Sequence, residues 1–264
     1  MYQRRIHTLL KQTEATQMTN QSTASKDEIK RFIAIADDWW NPNGDFAPLH
    51  RLNPVRLMFI KDHLCKYFSR VPLATRPLEG LDIIDIGCGG GILSEPITRL
   101  GGNVTGIDAG LENIRIARHH AELMGLDINY LHKLPESLGS HKNLYDVALN
   151  MEVVEHVADL NVFLTTTSAL IKPGGVMILS TLNRTWKSLA LAKIAAEYLL
   201  QWLPIGTHDW KKFVRPSELA DGLSSNGIEI IDLKGMTYRP INDDWKLSND
   251  TDVNYLVFCI KRAK

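Results

Sequence analysis

Three observations predict an α/β fold with a mostly parallel sheet covered by helices on both faces. Short apolar runs alternate with helical segments from residue 81 to residue 181. The first of these runs ends in a cluster of glycines, and the second ends in an aspartate. The chain of 264 residues is long enough for one large domain of this kind with an insertion.

The elements follow in order. Residues 1–27 form a flexible leader, because the Thr, Gln, Ser and Asn of positions 12–26 cannot build a core. Arg4, Arg5, His7 and Lys11, with no acid before Glu14, give that leader a second reading as a targeting peptide. The folded part runs over 28–264. A helix begins near Asp27, where Ile29, Phe32, Ile33 and Ala36 recur at helical spacing. Trp39-Trp40-Asn41-Pro42-Asn43-Gly44 is a turn-rich break, and Pro54 opens a second helix of an N-terminal cap. The first strand is Leu81–Ile86, followed by the glycine turn and a helix to Leu100. Strands at Asn103–Asp108, Ile128–His132, Tyr145–Asn150 and Val176–Thr181 alternate with helices at Glu112–Met124 and Leu160–Ile171. Residues 226–238 and 253–261 read as an antiparallel pair that closes a seven-stranded sheet. An insert of about 182–212 follows the fifth strand.

Composition removes several classes. Lys plus Arg and Asp plus Glu number 30 each, so the totals call for no nucleic-acid partner. The three cysteines, Cys65, Cys88 and Cys259, are widely spaced with no C-x-x-C, which argues against a disulfide framework or a structural zinc site.

The glycine turn reads Asp85-Ile86-Gly87-Cys88-Gly89-Gly90-Gly91. Glycines at a strand-to-helix turn let the backbone bend and let a ligand approach without a Cβ in the way. The dinucleotide fingerprint would need glycine at position 92, where this chain has Ile92. Asp108 ends the next strand about 20 residues on, where a carboxylate accepts ribose hydroxyls. Together the two features point to a nucleoside cofactor, with a nicotinamide oxidoreductase as the weaker rival.

The D-I-G-C-G-G-G loop resembles the first motif of class I methyltransferases with a Rossmann-like fold. Tyr145-Asp146-Val147 and Lys172-Pro173-Gly174-Gly175 match further marks of that group. A narrower resemblance rests on five segments. Phe32–Arg56 reads F-I-A-I-A-D-D-W-W-N-P-N-G-D-F-A-P-L-H-R-L-N-P-V-R, and 151–157 reads M-E-V-V-E-H-V. The others are S-T-L-N-R at 180–184, G-T-H-D-W-K-K-F at 206–213 and V-N-Y at 253–255. The set is similar to the ubiquinone biosynthesis O-methyltransferases over about residues 28–262.

That resemblance implies S-adenosylmethionine as methyl donor. The acceptors it implies are ring hydroxyls of polyprenylated catechol and demethylubiquinol intermediates. It implies cofactor contacts at Arg56, Gly87, Asp108 and Met151. Asp85 would help hold the loop, and Gly89 would lie with Gly87 against the methionine part. Other ubiquinone biosynthesis proteins are implied as partners. The implied location is the cytoplasmic face of a bacterial inner membrane or, as the alternative, the matrix side of the mitochondrial one.

The chemistry needs a proton acceptor. Making a phenolate at pH 7 from a phenol of pKa about 10 costs about 4 kcal/mol, which a metal ion or a general base offsets. Glu152, Glu155 and His156, read as the first turn of a helix, would share one face at offsets of three and four. The resemblance implies a Mg2+ site on this cluster. Two carboxylates suit a hard cation, and histidine suits it poorly. His156 therefore has two readings: a ligand, or a base beside a metal held by Glu152 and Glu155. A metal-free reading places the acids at a helix N-terminus and His156 against the cofactor pocket. His208 and Asp209, in the insert, either line the substrate entrance or belong to a hydrogen-bonded loop, and His50 has the same two readings.

Trp186–Leu203 is largely apolar, with Lys193, Glu197 and Gln201 as a narrow polar stripe. It is too charged to span a bilayer comfortably, but a helix of this pattern can lie in the lipid interface. The competing reading is a lid helix buried on the domain. Two other functions compete with the leading one: methylation of another small phenol or carboxylate, and a non-catalytic cofactor-binding scaffold.

Overall fold

The computed structural model describes residues 38–138, 144–190, 210–239 and 244–263. The leader, the helix expected near Asp27, His208, Asp209 and most of Trp186–Leu203 lie outside the described residues.

Eight strands form one sheet: β1 Asp82–Ile86, β2 Asn103–Asp108, β3 Asn129–His132, β4 Tyr145–Met151, β5 Ile171–Leu182, β6 Ile228–Arg239, β7 Asp244–Ser248 and β8 Asn254–Lys261. Their order is β3-β2-β1-β4-β5-β8-β6-β7. The first five strands are parallel, and β8, β6 and β7 pair antiparallel at one end. The expectation of seven strands is corrected to eight. The five residues D-W-K-L-S of β7 alternate polar and apolar, with Trp245 and Leu247 packed on the α1-side core, but so short a run is a weak signal next to the longer β6 along which it pairs. The expected antiparallel pair exists, but β8 sits between β5 and β6.

Among the described residues, helices α1 Ala47–Tyr67, α2 Ser94–Arg99, α3 Leu111–Met124, α4 Leu160–Leu170 and α5 Pro216–Ser225 cover the sheet. The second helix of the cap starts earlier than expected. Pro48 stands in the first turn of α1, and Pro54 lies inside the helix. Proline in a first turn loses no bond, whereas Pro54 only forgoes the one donor that would reach the His50 carbonyl.

Alternation along the buried strands sorts side chains to two cores. Ile83, Val147, Leu149, Val176, Ile178, Leu256 and Phe258 face one side, where Phe59, Ile60 and Leu64 of α1 pack. Ile84, Ala148, Met177, Leu179, Val257 and Cys259 face the other, against Phe163 and Leu164 of α4 and Leu219 and Leu223 of α5. Each such apolar side chain stabilises the fold by about 1.5–3 kcal/mol. Packing of Phe59, Ile60 and Leu64 thus fixes α1, and with it Arg56. All three cysteines are buried and free.

The chain leaves β1 toward β2 and β3, then returns to place β4 on the other side of β1. Such a reversal opens a crevice at the carboxyl ends of the strands, where open α/β sheets bind ligands. The residues at those ends are Gly87, Asp108 and Met151.

Candidate active site

The glycine turn is built from β1. Gly87 (φ 74°) and Gly89 (φ 53°) adopt left-handed backbone angles that favour residues without a Cβ. A Cβ at Gly87 would also lie 2.5 Å from Cγ2 of Val153. The amides of Gly87 and Cys88 both donate to the Ile107 carbonyl of β2, at 2.8 and 3.0 Å. Asp85 lies beneath the loop, 2% exposed, and accepts a 2.6 Å hydrogen bond from Ser94 Oγ at the start of α2. Burial pushes its carboxyl up to about 6. Burial and the neighbouring Asp85 and Asp108 carboxylates also push the Cys88 thiol up, so Cys88 is an uncharged packing residue.

Asp108 receives three hydrogen bonds. The Gly89 amide donates to Oδ2 at 3.0 Å. The Gly110 amide and Asn113 Nδ2 donate to Oδ1 at 2.7 and 3.0 Å. The carboxylate thereby ties the glycine turn to the N-terminus of α3. An ionised carboxylate offers about four acceptor sites, so capacity for a ribose hydroxyl remains.

At the end of β4, Met151 packs against the core on the α1 side. Glu152 follows with φ 55°, a conformation that costs a non-glycine residue roughly 1–3 kcal/mol. Three contacts hold it there. Its amide donates to the Ser180 carbonyl at 3.0 Å. Arg56 Nη2 and Ser180 Oγ both donate to its Oε1, at 2.9 and 2.7 Å. Hydrogen bonds to a charged group contribute about 1.5–3 kcal/mol each, enough to outweigh the backbone term. Arg56 is 5% exposed, and its Nε is a buried donor with no partner.

Glu155 is 2% exposed. Thr181 Oγ1 donates to its Oε2 at 2.8 Å, and its Oε1 is buried without a partner. Burial first, and the Glu152 charge second, push its carboxyl up to about 9, so it is protonated at neutral pH. His156 is exposed at the surface of the turn. Partial burial and, secondarily, Lys212 lower its pKa against the opposing pull of Glu152. The shift favours the neutral imidazole.

The expected helical face of Glu152, Glu155 and His156 is corrected. Residues 152–156 form a turn, and α4 begins only at Leu160. The turn keeps Glu152 close enough to Glu155 and His156 to act on their protonation, but without the single shared face of a helix. Among the described residues no three His, Cys, Asp or Glu take a metal-holding arrangement. Arg56 already supplies the positive charge beside Glu152. That pairing favours a metal-free reading of the turn over the divalent cation implied by the sequence resemblance.

Two contributors escaped the sequence reading. Ser180 and Thr181 end an apolar run on β5, and Met151 pairs in register with Ser180. Two hydroxyls closing a buried strand beside the β4 tip were the available signal. His50 belongs to the hydrogen-bonded class: its Nε2 donates to the Trp39 carbonyl at 2.9 Å.

Comparison with known proteins now gives the class. Residues 56–233 match the model of a methyltransferase domain family. A SAM-dependent methyltransferase from Methanosarcina mazei shares the fold with TM-score 0.55 and 21% identity, over 70% of this chain and 94% of its own. The magnesium protoporphyrin IX methyltransferase of Synechocystis, solved with bound SAH, aligns with TM-score 0.56 and 16% identity, over 95% of this chain and 94% of its own. The fold and site are those of an S-adenosylmethionine-dependent methyltransferase.

The particular family follows from sequence. A ubiquinone biosynthesis O-methyltransferase of Bartonella quintana is 52% identical over 89% of this chain and 96% of its own length. One from Brucella anthropi is 51% identical over 93% of this chain and 99% of its own. The chain belongs to the ubiquinone biosynthesis O-methyltransferase family.

The residues present fit S-adenosylmethionine. The glycine turn leaves a backbone surface, Asp108 has acceptor capacity for a ribose hydroxyl, and the unpartnered Nε of Arg56 is a cation suited to a carboxylate. When bound, this cofactor supplies an electrophilic methyl group on sulfur.

The Glu155 assignment has a measurable consequence. Its folded pKa, about 9, lies above its ordinary 4.5. Folding must therefore take up a proton at every pH between these values, and stability falls as pH rises through that window. Glu155→Gln keeps the Thr181 contact and removes the proton requirement. Thermal melts are expected to show the variant more stable than the wild type, with a gap that widens from pH 5 to pH 9. A gap independent of pH would contradict a buried neutral Glu155.

Proposed function

We propose that this chain O-methylates ring hydroxyls of polyprenylated catechol and demethylubiquinol intermediates. The observation that carries this reading is about 50% identity over nearly the whole length of relatives named ubiquinone biosynthesis O-methyltransferase. Methyl transfer from a sulfonium is an in-line displacement, so alignment of oxygen, methyl and sulfur supplies much of the rate. The chain's part in this is orientation. Asp108, the Gly87–Gly89 turn and Arg56 hold the cofactor side, with Met151 as a wall beside the adenine.

His156 accepts the phenol proton in this proposal. Its lowered pKa keeps it neutral at pH 7, and its exposed position at the β4 turn lets an acceptor reach it. Glu152 is committed to Arg56 and Ser180, and Glu155 is already protonated. Neither carboxyl is free to take the proton.

A polyprenyl tail places the acceptor in membrane. Trp186 is 80% exposed and stacks on Trp210 with ring centroids 5.9 Å apart, an aromatic pair suited to the lipid interface. Among the described residues no helix is long and apolar enough to cross a membrane. We place the chain as a peripheral protein on the inner face of the membrane, in contact through about Trp186–Leu203.

Methyl transfer from labelled S-adenosylmethionine to a short-chain demethylubiquinol tests the reaction. Turnover is expected with and without EDTA. His156→Ala is expected to lower kcat by about 10²–10⁴-fold, the span of general-base catalysis, with cofactor binding retained. No turnover with intact cofactor binding would point to another acceptor or to the scaffold reading. Loss of turnover in EDTA, restored by Mg2+, would overturn the metal-free assignment. Deletion of 186–203 is expected to abolish sedimentation with anionic liposomes, and unchanged sedimentation would remove the membrane assignment.

A further inference from the structure

The segment before Arg56 makes contacts that the reaction chemistry leaves unexplained. Trp39 lies against the glycine turn: a Cβ at Gly89 would sit 2.7 Å from its ring, and one at Gly90 would sit 2.8 Å away. The indole therefore packs directly on glycine backbone. Trp40 Nε1 donates to the Gly90 carbonyl at 3.1 Å, and Asn53 Nδ2 donates to the Ile92 carbonyl at 2.9 Å. Three residues of the turn, Gly89, Gly90 and Ile92, are thus each touched from this segment.

The segment is itself braced. Trp39 stacks on Phe46 with ring centroids 3.9 Å apart and 14° between planes, and His50 holds its carbonyl. Trp40 stacks on His120 of α3 at 3.6 Å and 5°. His120 Nδ1 is bonded at 2.5 Å to the buried Glu95 of α2. The two helices that flank the turn therefore hold the segment in place. A cavity of about 390 Å³ borders Trp40, His50, Glu95 and His120, so the segment has room to shift on that side.

We propose that residues 39–53 form a clasp that holds the glycine turn in its cofactor-receiving shape, with Trp39 as a positioning residue for S-adenosylmethionine. Gly89 links the clasp to the cofactor. Its Cα side meets Trp39, and its amide is bonded to the Asp108 carboxylate. Displacing the indole frees the backbone whose amide orients that carboxylate. The inference concerns the family's cofactor alone and does not depend on which acceptor is methylated.

The test is titration calorimetry of S-adenosylhomocysteine into the full chain, with Trp39→Ala, Trp39→Phe and Trp40→Phe. Trp39→Ala is expected to weaken binding by at least about tenfold and to raise KM for S-adenosylmethionine by a similar factor. The KM for the quinol is expected to stay unchanged. Trp39→Phe restores binding to within about threefold, because a flat ring still covers the glycines. The change in indole emission on adding S-adenosylhomocysteine is expected in the wild type and lost in Trp39→Phe. Trp40→Phe keeps the stack on His120 and removes only the bond to Gly90, so it reads the clasp without removing a ring. Binding within twofold of wild type in Trp39→Ala would overturn the proposal. If that variant does not fold, binding within twofold in Trp40→Phe, with an unaltered emission change in Trp39→Phe, would overturn it instead.

Discussion

The ion pair between Arg56 and Glu152 joins the two halves of the site. Arg56 comes from α1, outside the alternating part of the chain, and Glu152 stands at the tip of β4. With a side chain only 6% exposed, Arg56 needs an anionic partner, because an unpaired buried cation costs several kcal/mol. Glu152 needs a reason to hold a left-handed backbone, and Arg56 with Ser180 supplies it. Each group's unfavourable state is offset by the other. The geometry of the β4 turn follows from this arrangement, and the Glu152 charge it fixes adds to burial in raising the Glu155 pKa.

The same charge arithmetic supports the base role proposed for His156. Two adjacent carboxyls look like a cation site in a sequence. In the fold, one is paired with arginine and the other is buried and protonated. What remains at the turn is a neutral imidazole. A phenol proton moved to such a base recovers much of the cost of about 4 kcal/mol for phenolate formation at pH 7.

Much of the fold was legible because parallel strands buried on both faces read as continuous apolar runs. Ile83–Ile86 and Val176–Leu179 are fully buried strands of that kind, and the glycine turn and Asp108 stand where spacing puts them. The edge strand β7 was hard to read because its alternation, with Trp245 and Leu247 inward, spans only five residues. The strand-end positions of Gly87 and Asp108 were legible from spacing alone. The local conformation at 152–156 was not, because a turn replaces the expected helix. Ser180 and Thr181 came into view only when the register placed β5 beside β4. Trp39, Trp40 and Asn53 stood out as a specific pattern, but their target, the glycine turn, lies 39 to 50 residues on and is joined to them only by the tertiary fold.

The direct test of this account is a double-mutant cycle on Arg56→Ala and Glu152→Ala, read as S-adenosylhomocysteine affinity. A shared structural unit predicts strong non-additivity. Each single change should disrupt the turn, and the double variant should lose little more than the worse single one, a coupling of at least about 1 kcal/mol. Losses that add to within about 0.5 kcal/mol would show that the two residues act independently, and would contradict the ion pair as the constraint on which the site depends.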